Sequence, residues 1–360
     1  MQNKFYLLKI INLKRETLDT ISITFEIPSE LKEIFKYKAG QYITIKIPIN
    51  GEENRRAYSI CSNPESNQDK FTITVKKIDD GRVSKYINEN LRIGDFLEVM
   101  PPNGNFTIDD SSDNNIFMFF AGGSGITPII SLIKSILINR KDSKIFLVYQ
   151  NRNYNSIIFR EELENLITEY TNLEIIHILS QPDENWNGLK GKLNQDLVYN
   201  LIKEKLHNDL YKTEFFLCGP QGMMYEVEQA LKRLLITSNK IHKENFTISI
   251  ANVGDREDIQ LEINDNLTTH RVKIILYGDE YEFDVDPDET ILTAAQREGY
   301  DPPFSCQIGA CSTCRARLKS GKIYMDERDS LTDEEIADGY VLTCQTHPLT
   351  DDVVIDYDDN

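Results

Sequence analysis

The sequence predicts a multidomain chain that joins all-β and α/β architecture: an antiparallel β-barrel, a doubly wound parallel α/β domain and a β-grasp-like α+β domain. Three observations support this prediction. Alternating apolar and polar segments fill residues 1–110, apolar strands alternate with amphipathic helices over 111–250, and a hairpin, a helix and a cysteine-rich loop follow one another over 271–360. The polar, acidic stretch 251–270 is predicted to be a linker.

The first domain contains strand-like segments separated by Gly, Asn, Asp and Pro turns. They read FYLLKIINL, TISITFEI, QYITIKI, RAYSI, FTITVKK and FLEVM. Many short strands at such intervals are typical of a small antiparallel barrel.

The second domain changes to strands followed by helices. The strands read IFMFFAGG, KIFLVYQ, LEIIHILS and EFFLCG, and the helices read ITPIISLIKSILI, IIFREELENLITEY and PQGMMYEVEQALKRLL. This alternation indicates parallel βαβ units in an open sheet. In the third domain we expect a hairpin around a turn at Gly278-Asp279, and then a helix from near Asp288 to Gly299.

Four cysteines follow this helix with the spacing C-x4-C-x2-C and a long gap to the last: Cys306, Cys311, Cys314 and Cys344. This is the plant-type spacing of [2Fe–2S] ligands, and small residues in the loop let the backbone wrap closely around the sulfurs. A tetrahedral zinc site is the alternative, although zinc favours separated pairs of ligands. We expect the other two cysteines to be reduced, because residues 1–20 lack the apolar run of an export signal.

A second candidate site is the segment RAYS, residues 56–59. Its guanidinium can pair with a flavin pyrophosphate, its phenol can stack on an isoalloxazine ring, and its hydroxyl can reach a ring heteroatom. Downstream, GRVS (residues 81–84) opens a predicted helix. The first-turn amides of this helix and the Ser84 hydroxyl can hold phosphate oxygens.

A third candidate site is the glycine turn AGGSGITP, residues 121–128, between a predicted strand and a predicted helix. Its glycines allow close approach of a pyrophosphate, and the helix N-terminus supplies free amides. The GxGxxG fingerprint is not met, because Pro128 stands in place of the third glycine. The segment CGP, residues 218–220, also ends a predicted strand.

The order of RAYS, GRVS, the later P-x-G-x-F, GGSGITP and CGP resembles the ferredoxin–NADP reductase superfamily, and residues 271–360 resemble a plant-type ferredoxin. The resemblance implies FAD in the barrel, a nicotinamide nucleotide in the second domain and a [2Fe–2S] cluster in the third. The implied FAD contacts are Arg56, Ala57, Tyr58, Ser59, Val75, Gly81, Val83 and Ser84. The implied nucleotide contacts are Gly122, Gly123, Gly125, Thr127, Pro128, Arg152, Gly219, Pro220 and Met223. The implied catalytic residues are Tyr58, Ser59 and Cys218.

The resemblance extends to oxygenase reductases, so we expect an NAD(P)H-dependent oxidoreductase. A nicotinamide delivers two electrons as a hydride, whereas a [2Fe–2S] cluster accepts one, and FAD would divide the pair. The electrons would then leave for an oxygenase or another metalloprotein. The alternatives are a general NAD(P)H diaphorase feeding other metalloproteins, and a non-catalytic docking or sensor protein.

The preferred nucleotide is predicted to be NADPH, with NADH possible. Arg152 follows the strand LVYQ, and no acidic residue stands directly after that strand to hold free ribose hydroxyls. Ser180 and Lys192 add a hydroxyl and a second cation, while Gln181 departs from the Ser-Arg pair typical of plant-type reductases.

Negative charge is concentrated at the end of the chain. Residues 271–360 contain 8 Lys and Arg against 21 Asp and Glu, a net charge of −13 out of −18 for the whole chain. This argues against nucleic acid and favours a basic partner docking at the acidic ferredoxin domain. No apolar stretch is long enough to span a membrane, so we expect no membrane partner and a cytoplasmic location.

Overall fold

The computed structural model describes residues 4–66, 69–79, 81–109, 115–246, 268–328 and 330–359. The chain forms two compact units, residues 1–246 and 247–360. The predicted boundary at residue 110 and most of the predicted linker 251–270 lie outside the described residues, so both stay predictions.

An antiparallel barrel forms the first part of unit one, as predicted. Its strands are β1 (Tyr6–Thr17), β2 (Thr20–Glu26), β3 (Tyr42–Ile49), β4 (Glu52–Ser59), β5 (Lys70–Lys76) and β6 (Phe96–Val99), with helix α1 (Arg82–Asn90) before the last. They pair in the order β4-β3-β6-β1-β2-β5. A bridge from Ile60, just after β4, to Ile73 of β5 brings the two edges together. Alternate residues of each strand turn inward, and Ile23, Ile45 and Ile73 are fully buried there.

A parallel sheet forms the rest of unit one. Its strands are β7 (Ile116–Gly122), β8 (Lys144–Asn151), β9 (Leu173–Leu179), β10 (Leu189–Lys190), β11 (Thr213–Cys218) and β12 (Ile241–Glu244), in the order β10-β9-β8-β7-β11-β12. Its helices are α2 (Ile126–Asn139), α3 (Arg160–Glu169), α4 (Gln195–Leu206) and α5 (Gln221–Arg233). The doubly wound prediction is confirmed. The two edge strands were not predicted, because neither LK nor IHKE shows an apolar run or a clear alternation.

The barrel has its own hydrophobic core, and a few residues from the barrel side pack into a core of the parallel sheet. Phe106 and Cys61, which belong to the barrel side, lie in the same buried cluster as the core face of α2. The Ser131 hydroxyl of α2 donates to the Ser62 carbonyl at 2.7 Å. Asn139, at the end of α2, donates to the Glu65 carboxylate at 2.7 Å. The strand ends of the two halves are therefore held in a fixed relation.

The second unit has the predicted α+β architecture. Its strands are β13 (His270–Leu276), β14 (Asp279–Val285), β15 (Arg315–Ser320), β16 (Ile323–Met325), β17 (Tyr340–Leu342), β18 (Thr346–Pro348) and β19 (Val353–Asp356), with helices α6 (Ile291–Arg297) and α7 (Asp333–Ala337). One sheet has the order β14-β13-β19-β15-β17, and β16 pairs with β18.

Two local predictions for this unit were wrong in detail. The hairpin turn is Tyr277-Gly278 and not Gly278-Asp279, because both turn residues have positive φ, at 58° and 86°. Helix α6 begins at Ile291 and not near Asp288, because the Thr290 hydroxyl caps it by accepting the Thr293 amide at 3.2 Å.

No helix in the described part of the chain is long and apolar enough to cross a membrane.

Candidate functional site

The predicted flavin residues lie on β4. Arg56 and Tyr58 are two positions apart and share one face of this strand. The Arg56 guanidinium is exposed, donates to the Arg55 carbonyl at 2.7 Å and has no carboxylate partner among the described residues. Burial raises the pKa of the Tyr58 phenol, so the ring stays neutral. This face therefore offers an unpaired cation beside a neutral aromatic ring.

Helix α1 begins beside this strand with Gly81 as its N-cap and without a side-chain cap. The predicted phosphate contact Ser84 is already engaged, because its hydroxyl donates to the Gly81 carbonyl at 3.1 Å and accepts the Ile78 amide at 3.2 Å. The main-chain amides of the first turn are thus the donors that a phosphate would meet. Val75 and Val83 have side chains buried in the barrel core, so only their main chain could face a ligand.

Two glycine turns meet at the carboxyl ends of neighbouring strands. Cys218 at the end of β11 lies opposite Ala121 of β7. A Cβ on Gly125 would overlap the Cys218 carbonyl, and a Cβ on Gly122 would lie 2.5 Å from Cδ of Pro220. A Cβ on Gly219 would lie 2.7 Å from Cε of Met223. Only glycines let the segments GGSG and CGP approach each other this closely. The predicted binding of a pyrophosphate at the first turn stays a prediction.

The other residues predicted in the first turn also shape the backbone. Thr127 is buried, and its hydroxyl donates to the Ser124 carbonyl at 3.0 Å. Pro128 is buried in the first turn of α2. In contrast, Gly123 has φ of +53°, and a Cβ there would meet nothing within 4 Å. The open side of the turn is therefore at Gly123.

Cys218 is fully buried, at the point where the barrel meets the parallel sheet. Burial, and then the charge of Glu244, raises the pKa of its thiol well above the ordinary value, so the thiol is protonated at neutral pH. The Ser59 hydroxyl donates to the Glu244 carboxylate at 3.3 Å. The predicted catalytic residues Ser59 and Cys218 therefore share one neighbour, which is Glu244.

Glu244 is absent from the sequence-based set of site residues. It ends the edge strand β12, where it lies opposite Cys218 in the register. The only feature that could have indicated Glu244 is its position at the end of β12, the strand beside CGP. Strand β12 was not predicted from the sequence. The fold brings it to the same strand ends as the predicted residues.

The loops that follow β8 and β9 also lie side by side. The Gln181 amide donates to the Arg152 carbonyl at 2.7 Å, and the Ser180 amide donates to the Asn151 carbonyl at 3.0 Å. The Arg152 side chain is exposed and has no hydrogen-bond or ion-pair partner among the described residues. The Arg152 guanidinium therefore lies just after the carboxyl end of β8, where the adenosine end of a nucleotide is bound in this type of fold.

The four cysteines of unit two form two pairs. Hydrogen bonding with Cys306 lowers the pKa of the Cys311 thiol, and hydrogen bonding with Cys314 lowers the pKa of Cys344. Among the described residues, no three His, Cys, Asp or Glu side chains converge as ligands of a single ion would. Two adjacent thiol pairs match a [2Fe–2S] centre, in which each iron takes two protein ligands.

The cysteine loop aims donors at the sulfurs. The amides of Ala310 and Cys306 donate to Sγ of Cys306 and Cys311 respectively, each at 3.3 Å. The Ser305 hydroxyl is 2% exposed and has no hydrogen-bond partner in the described part of the chain. A cluster sulfide or a thiolate would satisfy this buried donor, so the loop fits a cluster.

These features define a class of protein: an oxidoreductase with a flavin barrel, a nucleotide-binding parallel sheet and an iron–sulfur domain. Family models agree with this class. Residues 8–108 match an oxidoreductase FAD-binding domain, residues 119–229 an oxidoreductase NAD-binding domain, and residues 274–349 a 2Fe-2S iron-sulfur cluster binding domain. The chain belongs to the family of oxygenase reductases that carry these three domains in one polypeptide.

Among its relatives, the chain is 36% identical to a subunit of the 1,2-phenylacetyl-CoA epoxidase of Escherichia coli (strain K12), over 98% of both chains. It is 34% identical to the ferredoxin reductase component of 3-ketosteroid-9-alpha-monooxygenase of Rhodococcus rhodochrous, over 98% of this chain and 96% of the relative. The fold is also similar to that of phthalate dioxygenase reductase, with a TM-score of 0.61, 23% identity and 98% of each chain covered.

Substitution of Gly125 by Ala tests the contact between the two glycine turns. We expect Gly125→Ala to lower the free energy of unfolding by about 3 kcal/mol, because the added methyl meets main-chain atoms that cannot rotate away. The matched control is Gly222→Ala in helix α5, where a Cβ meets nothing within 4 Å. Urea unfolding followed by circular dichroism measures both variants. Wild-type stability of Gly125→Ala would contradict the inferred close packing.

Proposed function

We propose that this reductase takes a hydride from NADPH at the two glycine turns, passes the electrons through FAD bound at β4 and α1, and releases them singly through the cluster held by the four cysteines. The acceptor is an oxygenase such as a phenylacetyl-CoA epoxidase. The observation that carries this proposal is the meeting of Ser59, Cys218 and Glu244 where the flavin barrel joins the nucleotide sheet.

In this proposal the flavin site uses one face of β4. Arg56 pairs with the pyrophosphate of FAD, Tyr58 packs against its ring, and the first-turn amides of α1 hold phosphate oxygens. Bound FAD supplies the conversion between two-electron and one-electron transfer. Support comes from the Arg56 guanidinium, which has no carboxylate partner among the described residues, and from the start of α1, which has no side-chain cap.

At the junction, Ser59, Cys218 and Glu244 position the nicotinamide against the flavin. The Cys218 thiol remains protonated, so it adds no negative charge beside the transferring hydride. Glu244 holds the Ser59 hydroxyl by accepting its hydrogen bond. The glycines of both turns leave room for the nucleotide to approach the main chain.

In this proposal, single electrons leave the protein from unit two. Cys306 and Cys311 would ligate one iron, and Cys314 and Cys344 the other; the amides that donate to the sulfurs of Cys306 and Cys311 support a cluster in this loop. Plant-type clusters have reduction potentials of about −400 mV, which is low enough to reduce the metal centre of an oxygenase. The partner docks on this acidic unit near the cysteine loop, where Ile308 is 44% exposed. A cytoplasmic location stays a prediction.

The proposal predicts a specific spectral change. The purified protein should show flavin bands together with broad red-brown cluster absorption, and anaerobic NADPH should bleach both. Flavin bands that persist with NADPH and with NADH would contradict the reductase activity. Bleaching of the flavin bands alone would indicate that electrons do not leave the protein through the cluster.

Substitution of one cluster ligand distinguishes reduction of the flavin by NADPH from release of electrons through the cluster. We expect Cys311→Ser to reduce cytochrome c at less than about a tenth of the wild-type rate, while NADPH still reduces the flavin, because the variant loses one of four thiolates. Cys61→Ser is the control, since Cys61 is buried in unit one and its thiol donates to the Thr72 carbonyl at 3.2 Å. Unchanged cytochrome c reduction in Cys311→Ser would show that the cluster is not the exit.

Nucleotide preference is tested at Arg152. We expect Arg152→Ala to raise KM for NADPH about tenfold and to leave KM for NADH within about twofold, because a charged hydrogen bond to the 2′-phosphate is lost. The control is Lys144→Ala, an exposed cation at the opposite end of β8. A wild-type kcat/KM that is lower for NADPH than for NADH would overturn the NADPH preference.

A further inference from the structure

Tyr149 is a large buried side chain that the proposed function does not use. It lies in β8, directly opposite Ala121 of β7, and is fully buried. Its hydroxyl donates to the Gly123 carbonyl at 3.0 Å. Burial raises the pKa of this phenol, so it remains a donor throughout the neutral range. A single interior hydroxyl thus contacts the most open residue of the first glycine turn.

The Gly123 carbonyl is held from two directions. Besides the Tyr149 hydroxyl, it accepts the main-chain amide of Ile126, the first residue of α2. A carbonyl oxygen has two acceptor positions, and both are occupied here. The oxygen is therefore fixed on the interior side of the turn.

The orientation of this carbonyl fixes the next amide. In a planar trans peptide the C=O and the following N–H point in opposite directions, and none of the described residues has a cis peptide bond. Because the Gly123 oxygen points inward, the Ser124 N–H points outward. Ser124 is partly exposed, and a Cβ on Gly123 would face open space. An amide directed to that space suits a phosphate oxygen.

Without the phenol, only the Ile126 amide still holds the Gly123 carbonyl, so the peptide between Gly123 and Ser124 is less constrained. Glycine accepts nearly any backbone conformation, so the peptide can rotate and present its carbonyl oxygen outward. That oxygen would repel a phosphate. If the turn spends part of its time in the rotated form, only the remaining fraction of molecules can bind the nucleotide. The apparent affinity for the nucleotide falls in proportion to that fraction.

We propose that Tyr149 is a positioning residue for nucleotide binding: its hydroxyl holds the Gly123–Ser124 peptide so that the Ser124 amide faces the pyrophosphate of the nicotinamide nucleotide. This inference rests on the proposed assignment of the glycine turn to the nucleotide. It adds a residue from the strand interior that makes no contact with the ligand itself.

The test is Tyr149→Phe in the full-length protein with FAD and cluster present. Oxidised NADP⁺ and NAD⁺ serve as probes, because they bind without transferring a hydride, and flavin difference absorbance reports binding. We expect Kd to rise about two- to tenfold for both nucleotides, the loss associated with one neutral hydrogen bond. Rapid mixing with NADPH should show a higher half-saturating concentration with an unchanged limiting rate of flavin reduction.

The matched control is Tyr37→Phe. Tyr37 is a partly buried tyrosine of unit one, and its hydroxyl hydrogen-bonds to the Ser62 hydroxyl at 2.8 Å. We expect this variant to keep wild-type Kd values. Flavin content and Tm are measured for both variants, since a merely structural role for Tyr149 would lower Tm and leave Kd unchanged.

The outcomes separate this inference from the proposed function. Wild-type protein that binds neither nucleotide would overturn both. Wild-type binding with an equal Kd in Tyr149→Phe would overturn the positioning role alone, whatever the change in Tm. A Kd that rises equally in Tyr149→Phe and Tyr37→Phe would also overturn it, because the effect would then be general to the unit.

Discussion

The close approach of two glycine turns is the constraint on which the rest of unit one depends. Because β7 and β11 are neighbours in a parallel sheet, their carboxyl ends meet, and Gly125 contacts the Cys218 carbonyl with no room for a side chain. This contact fixes the height of Cys218 relative to the barrel. The pairing of β12 with β11 places the end of β12 beside the same point, where Ser59 donates to Glu244.

Main-chain amides, more than side-chain hydroxyls, are the donors in the proposed sites. The start of α1 has no side-chain cap, amides of the cysteine loop donate to cysteine sulfurs, and the turn at Gly123 is proposed to present the Ser124 amide. Short, rigid donors of this kind need small residues around them, which accounts for the Gly, Ser and Ala content of these segments. The larger buried side chains, such as Tyr149, then act by holding the backbone in place.

Much of this arrangement could be predicted from the sequence, because strand periodicity and glycine turns are local features. The barrel, the parallel sheet and both turns follow from them. Glu244 could not be found, since IHKE has no apolar period and its partner Ser59 is far away in the chain. The hydroxyls of Ser84 and Thr127 donate to nearby carbonyls, an arrangement that depends on backbone geometry rather than on residue type. Ligand contact by these two residues stays a prediction.

Most of the net negative charge of the chain lies in unit two. In unit two the cations are largely engaged in ion pairs, as between Arg297 and Glu289 at 3.1 Å and between Lys273 and Glu280 at 2.9 Å. Such pairs cancel locally, so the surplus of carboxylates remains as a net negative field. A field of this kind acts over roughly 10 Å at 0.1 M salt, which is enough to orient an approaching basic protein. In unit one, Ser59 and Cys218 are buried and Glu244 is half-buried, so salt screens their interactions less. If the partner docks on unit two as proposed, electron release is the step that salt should affect most.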